Sequence, residues 1–123
     1  MKVCEAVTLA EQLNPDQYGM CEKVQWLSAL DGQVYADIMA GREDAPESAP
    51  APYTQEDAQK ELLIPAPYAD EIYPAYLMMR GAFYNNESIR YANAQTMFNN
   101  ALASFQRYWI RTHRALCRKR FCI

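Results

Sequence analysis

The feature that most constrains this chain is the spacing of apolar residues in one segment near its start. Neighbouring apolar positions there are three or four residues apart, which is the repeat of one face of an α-helix. They are Met20, Val24, Leu27, Leu30, Val34 and Ile38. Gly41 follows the repeat, and glycine commonly ends helices. The pattern predicts a long amphipathic helix whose apolar face must be buried against other elements.

Two further segments are predicted to be helical on weaker signals. Residues 7–13, VTLAEQL, place Thr8 and Glu11 at the spacing of a capping box, which predicts a short first helix starting near Thr8. Residues 68–84 carry apolar side chains at helical spacing, but Pro74 lies among them. Proline lacks a backbone N–H and is tolerated best in the first turn of a helix. We therefore expect this third helix to begin only about one residue before Pro74.

The last helix is predicted to begin near Asn86 or Glu87 and to continue to Thr112. Aromatic residues lie along one face of it: Tyr91, Phe98, Phe105 and Tyr108 or Trp109. The preceding NNES is a short polar turn, so the third and fourth helices should be antiparallel neighbours. A second face is rich in amides: Asn93, Gln95, Asn99, Asn100 and Gln106. Such a face is typical of hydrated subunit contacts and also of an ordinary solvated surface.

The middle of the chain breaks these helical patterns. It contains five prolines: Pro46, Pro50, Pro52, Pro65 and Pro67. Its first half is acidic, small and proline-rich, which predicts an exposed and mobile loop. Residues 54–64 can hold one or two helical turns. Three consecutive apolar residues, Leu62, Leu63 and Ile64, are expected to dock on the helices.

These elements predict an all-α fold, a small helical bundle of about four helices with a proline-rich loop and a C-terminal arm. The chain has only four glycines, few for a fold built from strands and tight turns. Ten residues are predicted to form the core: Val24, Leu27, Leu30, Val34, Ile38, Tyr76, Phe83, Phe98, Leu102 and Phe105.

Charge is divided unevenly along the chain. Residues 1–106 hold all fifteen acidic residues and sum to −9, whereas residues 107–123 sum to +6. Apolar residues lie among these basic ones, so the candidate docking residues are Arg111, Arg114, Leu116, Arg118, Lys119, Arg120, Phe121 and Ile123. Three interpretations stay open: an arm that docks on an acidic protein partner, a nucleic-acid-binding end, or a solvated tail that complements the helix dipole.

The sequence predicts neither catalysis nor a cofactor. The single histidine, His113, lies among arginines, and its simplest interpretation is a surface residue at a helix end. No glycine-rich phosphate loop and no CxxC pair occurs. Cys4, Cys21, Cys117 and Cys122 are expected to be free thiols in a reducing compartment. No stretch approaches the length of a membrane span, and the protein is expected in a cytoplasm.

Three segments resemble a family of small tailed-bacteriophage proteins, the head–tail connector or adaptor proteins. They are KVQWLSALDGQVY from Lys23 to Tyr35, LLIPAPY from Leu62 to Tyr68, and YNNESIRYANAQTMFN from Tyr84 to Asn99. The resemblance covers roughly residues 7–113. These segments are packing and turn patterns, so they point to a family and assign no chemistry to any residue.

The resemblance implies a structural virion protein in the phage neck. Members assemble as a ring, usually of twelve copies, below the portal protein and beside other neck or tail-completion proteins. DNA passes through the ring without specific binding, and the acidic body suits such a channel because like charges repel. The adaptor-like domain then spans residues 1–113, and residues 114–123 form a basic arm that reaches the portal or an adjacent subunit. The alternatives are a tail-completion protein and a small nucleic-acid-binding helical protein.

Overall fold

A computed structural model describes residues 1–13, 18–42 and 50–113 of the chain. It contains four α-helices: α1 (Val3–Leu13), α2 (Met20–Val34), α3 (Tyr68–Tyr84) and α4 (Ser88–Thr112). A π-helical turn (Tyr35–Met39) extends α2, and a short 3₁₀ turn (Gln55–Asp57) precedes α3. Within these described ranges there is no strand, and Lys2 and Glu61 form an isolated antiparallel bridge. The prediction of a small all-α bundle is confirmed.

Helix α1 begins five residues before the predicted start at Thr8, which lies inside the helix. The reason is a contact with a segment far away in the sequence. The backbone N–H of Val3 donates to the carbonyl of Lys60 at 3.0 Å, and that of Cys4 donates to Ala58 at 2.9 Å. The first free N–H groups of the helix are therefore satisfied by a distant segment. The prediction that Thr8 and Glu11 cap the start of this helix is wrong.

Helix α3 also begins earlier than predicted, six residues before Pro74. Its first turn is closed by backbone hydrogen bonds from Ala69 to Pro65 at 3.1 Å and from Asp70 to Pro67 at 3.3 Å. Pro74 lies inside the helix and is buried. We infer that burial of this helix outweighs the backbone hydrogen bond that proline cannot make.

Helices α3 and α4 form the predicted antiparallel hairpin. Successive ring pairs run in opposite chain directions: Phe83 with Tyr91, Tyr76 with Phe98, and Tyr68 with Phe105, at centroid distances of 5.8, 5.2 and 5.6 Å. The turn between the helices includes Asn86 in a left-handed conformation with φ of 57°. Asparagine tolerates this conformation better than most residues, which explains its place here.

Most of the predicted core is confirmed, with two exceptions. Leu102 is only partly buried, and Phe83 is 54% exposed. Phe83 shares its side of α3 with buried Tyr76, but it lies at the last turn of the helix, beyond the packed interior. The docking of Leu62, Leu63 and Ile64 is also confirmed, because Leu62 and Ile64 are buried and Leu63 is partly buried.

Candidate interaction surfaces

A buried carboxylate joins the middle segment to the helices. Asp31 on α2 is fully buried. Its Oδ2 accepts hydrogen bonds from the Tyr53 hydroxyl at 2.5 Å and from the Leu63 backbone N–H at 3.1 Å. Its Oδ1 accepts one from the Tyr73 hydroxyl at 2.5 Å, and that hydroxyl in turn accepts from the Ile64 N–H at 2.9 Å. One side chain therefore fixes α2, α3 and the segment from Tyr53 to Ile64.

The protonation behaviour of this cluster follows from its burial. Desolvation raises the pKa of Asp31 above its ordinary value, although its three hydrogen bonds partly oppose that rise. Burial also raises the pKa values of Tyr53 and Tyr73, and the neighbouring carboxylate raises them further. Both hydroxyls therefore stay protonated and remain donors. These hydrogen bonds indicate a structural role for the cluster, which holds α2, α3 and the middle segment together.

Asp31 and Asp37 are six residues apart, a spacing that predicts different faces of one helix. This prediction is confirmed, since Asp37 is exposed whereas Asp31 is buried. The burial of Asp31 is not among the features predicted from the sequence. The signal was present: Asp31 lies four residues after Leu27, on the apolar face. Lys23 lies on the same face, is 1% exposed and pairs with Glu11 at 3.1 Å.

The three segments that carry the resemblance meet in the fold. The first contributes Asp31 and the second contributes Leu63 and Ile64 to the cluster above. The first and third meet where the Trp26 ring stacks on Tyr84, with centroids 5.6 Å apart and planes 11° apart. These segments therefore act as packing elements, as their patterns predict.

The first exposed apolar surface, which we call the turn surface, surrounds the α3–α4 turn. Phe83, Tyr84 and Ile89 are 54%, 49% and 78% exposed. Tyr84 is held from beneath by Trp26 and by the Arg80 guanidinium, which lies 5.3 Å from the Tyr84 ring centroid. A groove of about 590 Å³ lies beside Phe83 and Tyr84. Rigid, partly exposed aromatic side chains of this kind are typical of protein interfaces.

A second exposed apolar surface, the α3–α4 groove, lies where α1 ends against the helical hairpin. Two adjoining cavities of about 460 and 310 Å³ share Leu13, Met78 and Met97. Leu13 and Met97 are 62% and 57% exposed. Asp70 and Glu71 line one end of the groove and are exposed. None of the residues lining this groove also lines the groove at the turn surface.

A third concave surface, the α2–α4 groove, is different in character. It has a volume of about 470 Å³ and is lined by α2 with its π-helical turn, by α3 and by α4. Its floor includes Leu30, Val34 and Phe98, which are already buried. It therefore leaves little apolar area exposed for a partner to cover.

The amide-rich side of α4 is divided between two grooves. Asn93 and Asn100 line the α3–α4 groove, whereas Gln106 lines the α2–α4 groove. A rotation of about 100° per residue places Gln106 about 120° around the helix from Asn100, which explains the division. The sequence predicts a single amide-rich face, but these amides lie on two different sides of α4. All five predicted amides are exposed.

Of the predicted docking residues, only Arg111 lies within the described chain, where it is exposed near the end of α4. The others, Arg114, Leu116, Arg118, Lys119, Arg120, Phe121 and Ile123, lie outside the described residues. The end of α4 is anchored, because Arg42 Nη1 donates to the His113 carbonyl at 3.0 Å. The His113 ring stacks on Trp109 with centroids 3.6 Å apart, so this histidine is a packed helix-end residue rather than a freely solvated one.

In comparisons with known proteins, no family model, no curated protein and no solved structure matches the chain. Cys4 and Cys21 are free thiols. In the described ranges, no three histidine, cysteine, aspartate or glutamate side chains are grouped so that they could hold a metal ion. No helix in the same ranges has the length and apolar character needed to span a bilayer.

Proposed function

We propose that this chain is a structural subunit of a tailed-bacteriophage neck, a head–tail connector that assembles as a ring below the portal. The observation that carries the proposal is the pair of separate exposed apolar surfaces, the turn surface and the α3–α4 groove. A closed ring is built from heterologous contacts, in which one surface of each subunit meets a different surface of the next. A subunit with two unlike apolar surfaces meets that requirement.

The composition of the two surfaces supports a role in assembly. The turn surface presents Phe83 and Tyr84 on a rigid base of Trp26 and Arg80. Aromatic residues and arginine dominate the binding energy of protein interfaces. Residues 1–106 carry a net charge of −9, which suits a ring through which DNA moves without adhering. The partners are further copies of the chain, twelve in the ring, together with the portal and the neighbouring neck proteins.

The first experiment measures the assembly directly. Purified protein is examined by mass photometry and negative-stain electron microscopy, alone and with DNA-filled heads that lack a neck. The expected result is a closed ring, free or at the portal vertex. A monomer that neither assembles nor joins heads would contradict the proposal.

Matched variants test whether the turn surface takes part. Phe83→Ser and Ile89→Ser change exposed side chains, so far-ultraviolet circular dichroism and melting should stay close to those of the parent. Ring formation should be lost or weakened at least tenfold, since exposed aromatic anchors carry much of an interface's energy. Ala36→Ser, at another exposed position, is the control and should assemble normally. Normal assembly of both test variants would remove the turn surface from the proposed interface.

The rival function, nucleic-acid binding through the basic residues from Arg111 to Arg120, predicts a different result. Its affinity for DNA should fall steeply as salt rises, because Lys and Arg contacts with phosphates release counterions. The connector is expected to bind DNA weakly and without sequence preference. Tight, salt-sensitive binding by a protein that does not attach to heads would favour the rival.

A further inference from the structure

The α3–α4 groove is the exposed apolar surface that best fits an extended segment. It is elongated, because its two cavities adjoin along Met78 and Met97. Its floor leaves Leu13 and Met97 more than half exposed. Methionine-lined grooves suit irregular apolar partners, because the unbranched thioether chain adapts to their shape. Something apolar is expected to cover this floor.

The charge at one end of the groove indicates the sign of its occupant. Asp70 and Glu71 lie in the first turn of α3 at that end, and both are exposed. Neither side-chain carboxylate forms a hydrogen bond or an ion pair with any other described residue. An occupant with basic residues beside apolar ones would pair with these carboxylates while covering the floor.

The chain itself contains such a segment. Residues 114–123, RALCRKRFCI, carry four basic residues and no acidic one, together with Leu116, Phe121 and Ile123. We propose that the α3–α4 groove of one copy binds residues 114–123 of a second copy. This inference rests on the proposed ring and names one of the contacts between neighbouring subunits in it, the one made by the α3–α4 groove.

The position of the end of α4 favours binding of this segment to a second copy over binding within the same copy. Arg42, just beyond the π-helical turn, holds the His113 carbonyl. That turn contributes Asp37 and Ile38 to the α2–α4 groove, so the end of α4 is held on the side of that groove. The α3–α4 groove lies on the opposite flank of α4. His113, the last described residue, is thus held on the far side of α4 from the α3–α4 groove of the same copy, whereas the groove of a second copy is not restricted in this way.

The native cysteines allow the contact to be trapped in the full-length chain. The donor protein keeps Cys117 as its sole cysteine. The acceptor protein has all four native cysteines replaced by serine and carries Ser104→Cys in the α3–α4 groove. A matched acceptor carries Gln106→Cys in the α2–α4 groove. Donor and acceptor are mixed at equal concentration with diamide, which oxidises the two thiols to a disulfide, and mixed dimers are measured on non-reducing gels.

The expected result is that the Ser104→Cys acceptor forms mixed dimers at least several-fold faster than the Gln106→Cys acceptor. Adding Asp70→Asn and Glu71→Gln to the Ser104→Cys acceptor should slow the reaction, because the attraction that guides the basic segment is removed. Asp37→Asn, which neutralises an exposed carboxylate in the other groove, should not slow it. Equal rates for the two acceptors, faster trapping at Gln106→Cys, or no effect of the Asp70 and Glu71 changes would overturn the inference.

This experiment separates the inference from the proposed function. A ring that forms and joins heads without trapping at Ser104→Cys contradicts the groove assignment and leaves the connector function standing. Trapping at Ser104→Cys by a protein that never joins heads supports the groove contact and contradicts the connector function.

Discussion

Removing the Tyr73 hydroxyl should be among the most damaging single-atom changes in this protein. The hydroxyl donates to Asp31 and also accepts from the buried Ile64 N–H. A hydrogen bond to a charged group contributes about 1.5–3 kcal/mol, and a buried N–H left without an acceptor costs about 1–3 kcal/mol. Tyr73→Phe should therefore lower the free energy of unfolding by about 3–5 kcal/mol.

Tyr53→Phe is the matched control. Its hydroxyl makes the same kind of bond to Asp31, but no backbone N–H is known to depend on it. Its loss should cost only about 1.5–3 kcal/mol. The difference between the two variants isolates the contribution of the Ile64 N–H. Urea titration monitored by circular dichroism, at one fixed protein concentration, measures both free energies of unfolding.

The loss should depend on pH. Burial raises the folded-state pKa of Asp31 above its unfolded value. The contribution of this group to stability is therefore full below the unfolded pKa and is lost as pH rises through the folded pKa. The tyrosine hydroxyls stabilise the charged form, so each variant should lose more stability at a pH above the folded pKa of Asp31 than at a pH below its unfolded pKa. Equal losses at both pH values, or a Tyr73→Phe loss below about 1 kcal/mol, would refute the structural role assigned to buried Asp31 and its hydrogen bonds.

Three further outcomes are expected. Gly32→Ala should stabilise the protein by about 0.5–1 kcal/mol, because an added Cβ meets nothing within 4 Å. Gly41→Ala should lower the free energy of unfolding by about 1 kcal/mol, because Gly41 has a φ of +79°. Thermal melting compares the two variants. In urea titration, Phe98→Ala should lower the free energy of unfolding by about 3–5 kcal/mol, and Phe83→Ala should lower it by less than about 1 kcal/mol. Similar losses for the two variants would contradict the placement of Phe98 inside the core and Phe83 outside it. Deleting residues 114–123 should leave helicity and melting nearly unchanged but abolish attachment to heads; normal attachment would make the segment a solvated tail.

The sequence alone predicts those elements whose signal is local. The spacing from Met20 to Ile38 predicts one long helix, which the structure divides into α2 and the π-helical turn, and the stripe of Tyr91, Phe98 and Phe105 predicts α4. The turn between α3 and α4 follows from its polar residues. In each case the helix repeat itself carries the information, because one buried face needs only that spacing.

Features that depend on distant residues could not be predicted in this way. The start of α1 is set by carbonyls from Ala58 and Lys60, and the burial of Asp31 requires Tyr53 and Tyr73 to be folded over it. The grooves likewise arise only when α1 and the helical hairpin pack together. The uneven charge along the chain and the basic segment were visible in the sequence, but Asp70 and Glu71 became candidate partners only once their place beside an apolar groove was known.

The measurement that most directly tests the connector function is electron microscopy of neckless, DNA-filled heads incubated with this protein. The expected result is a closed ring at the portal vertex, with a central channel continuous with that of the portal. Heads that remain bare in the presence of excess folded protein would contradict the connector function.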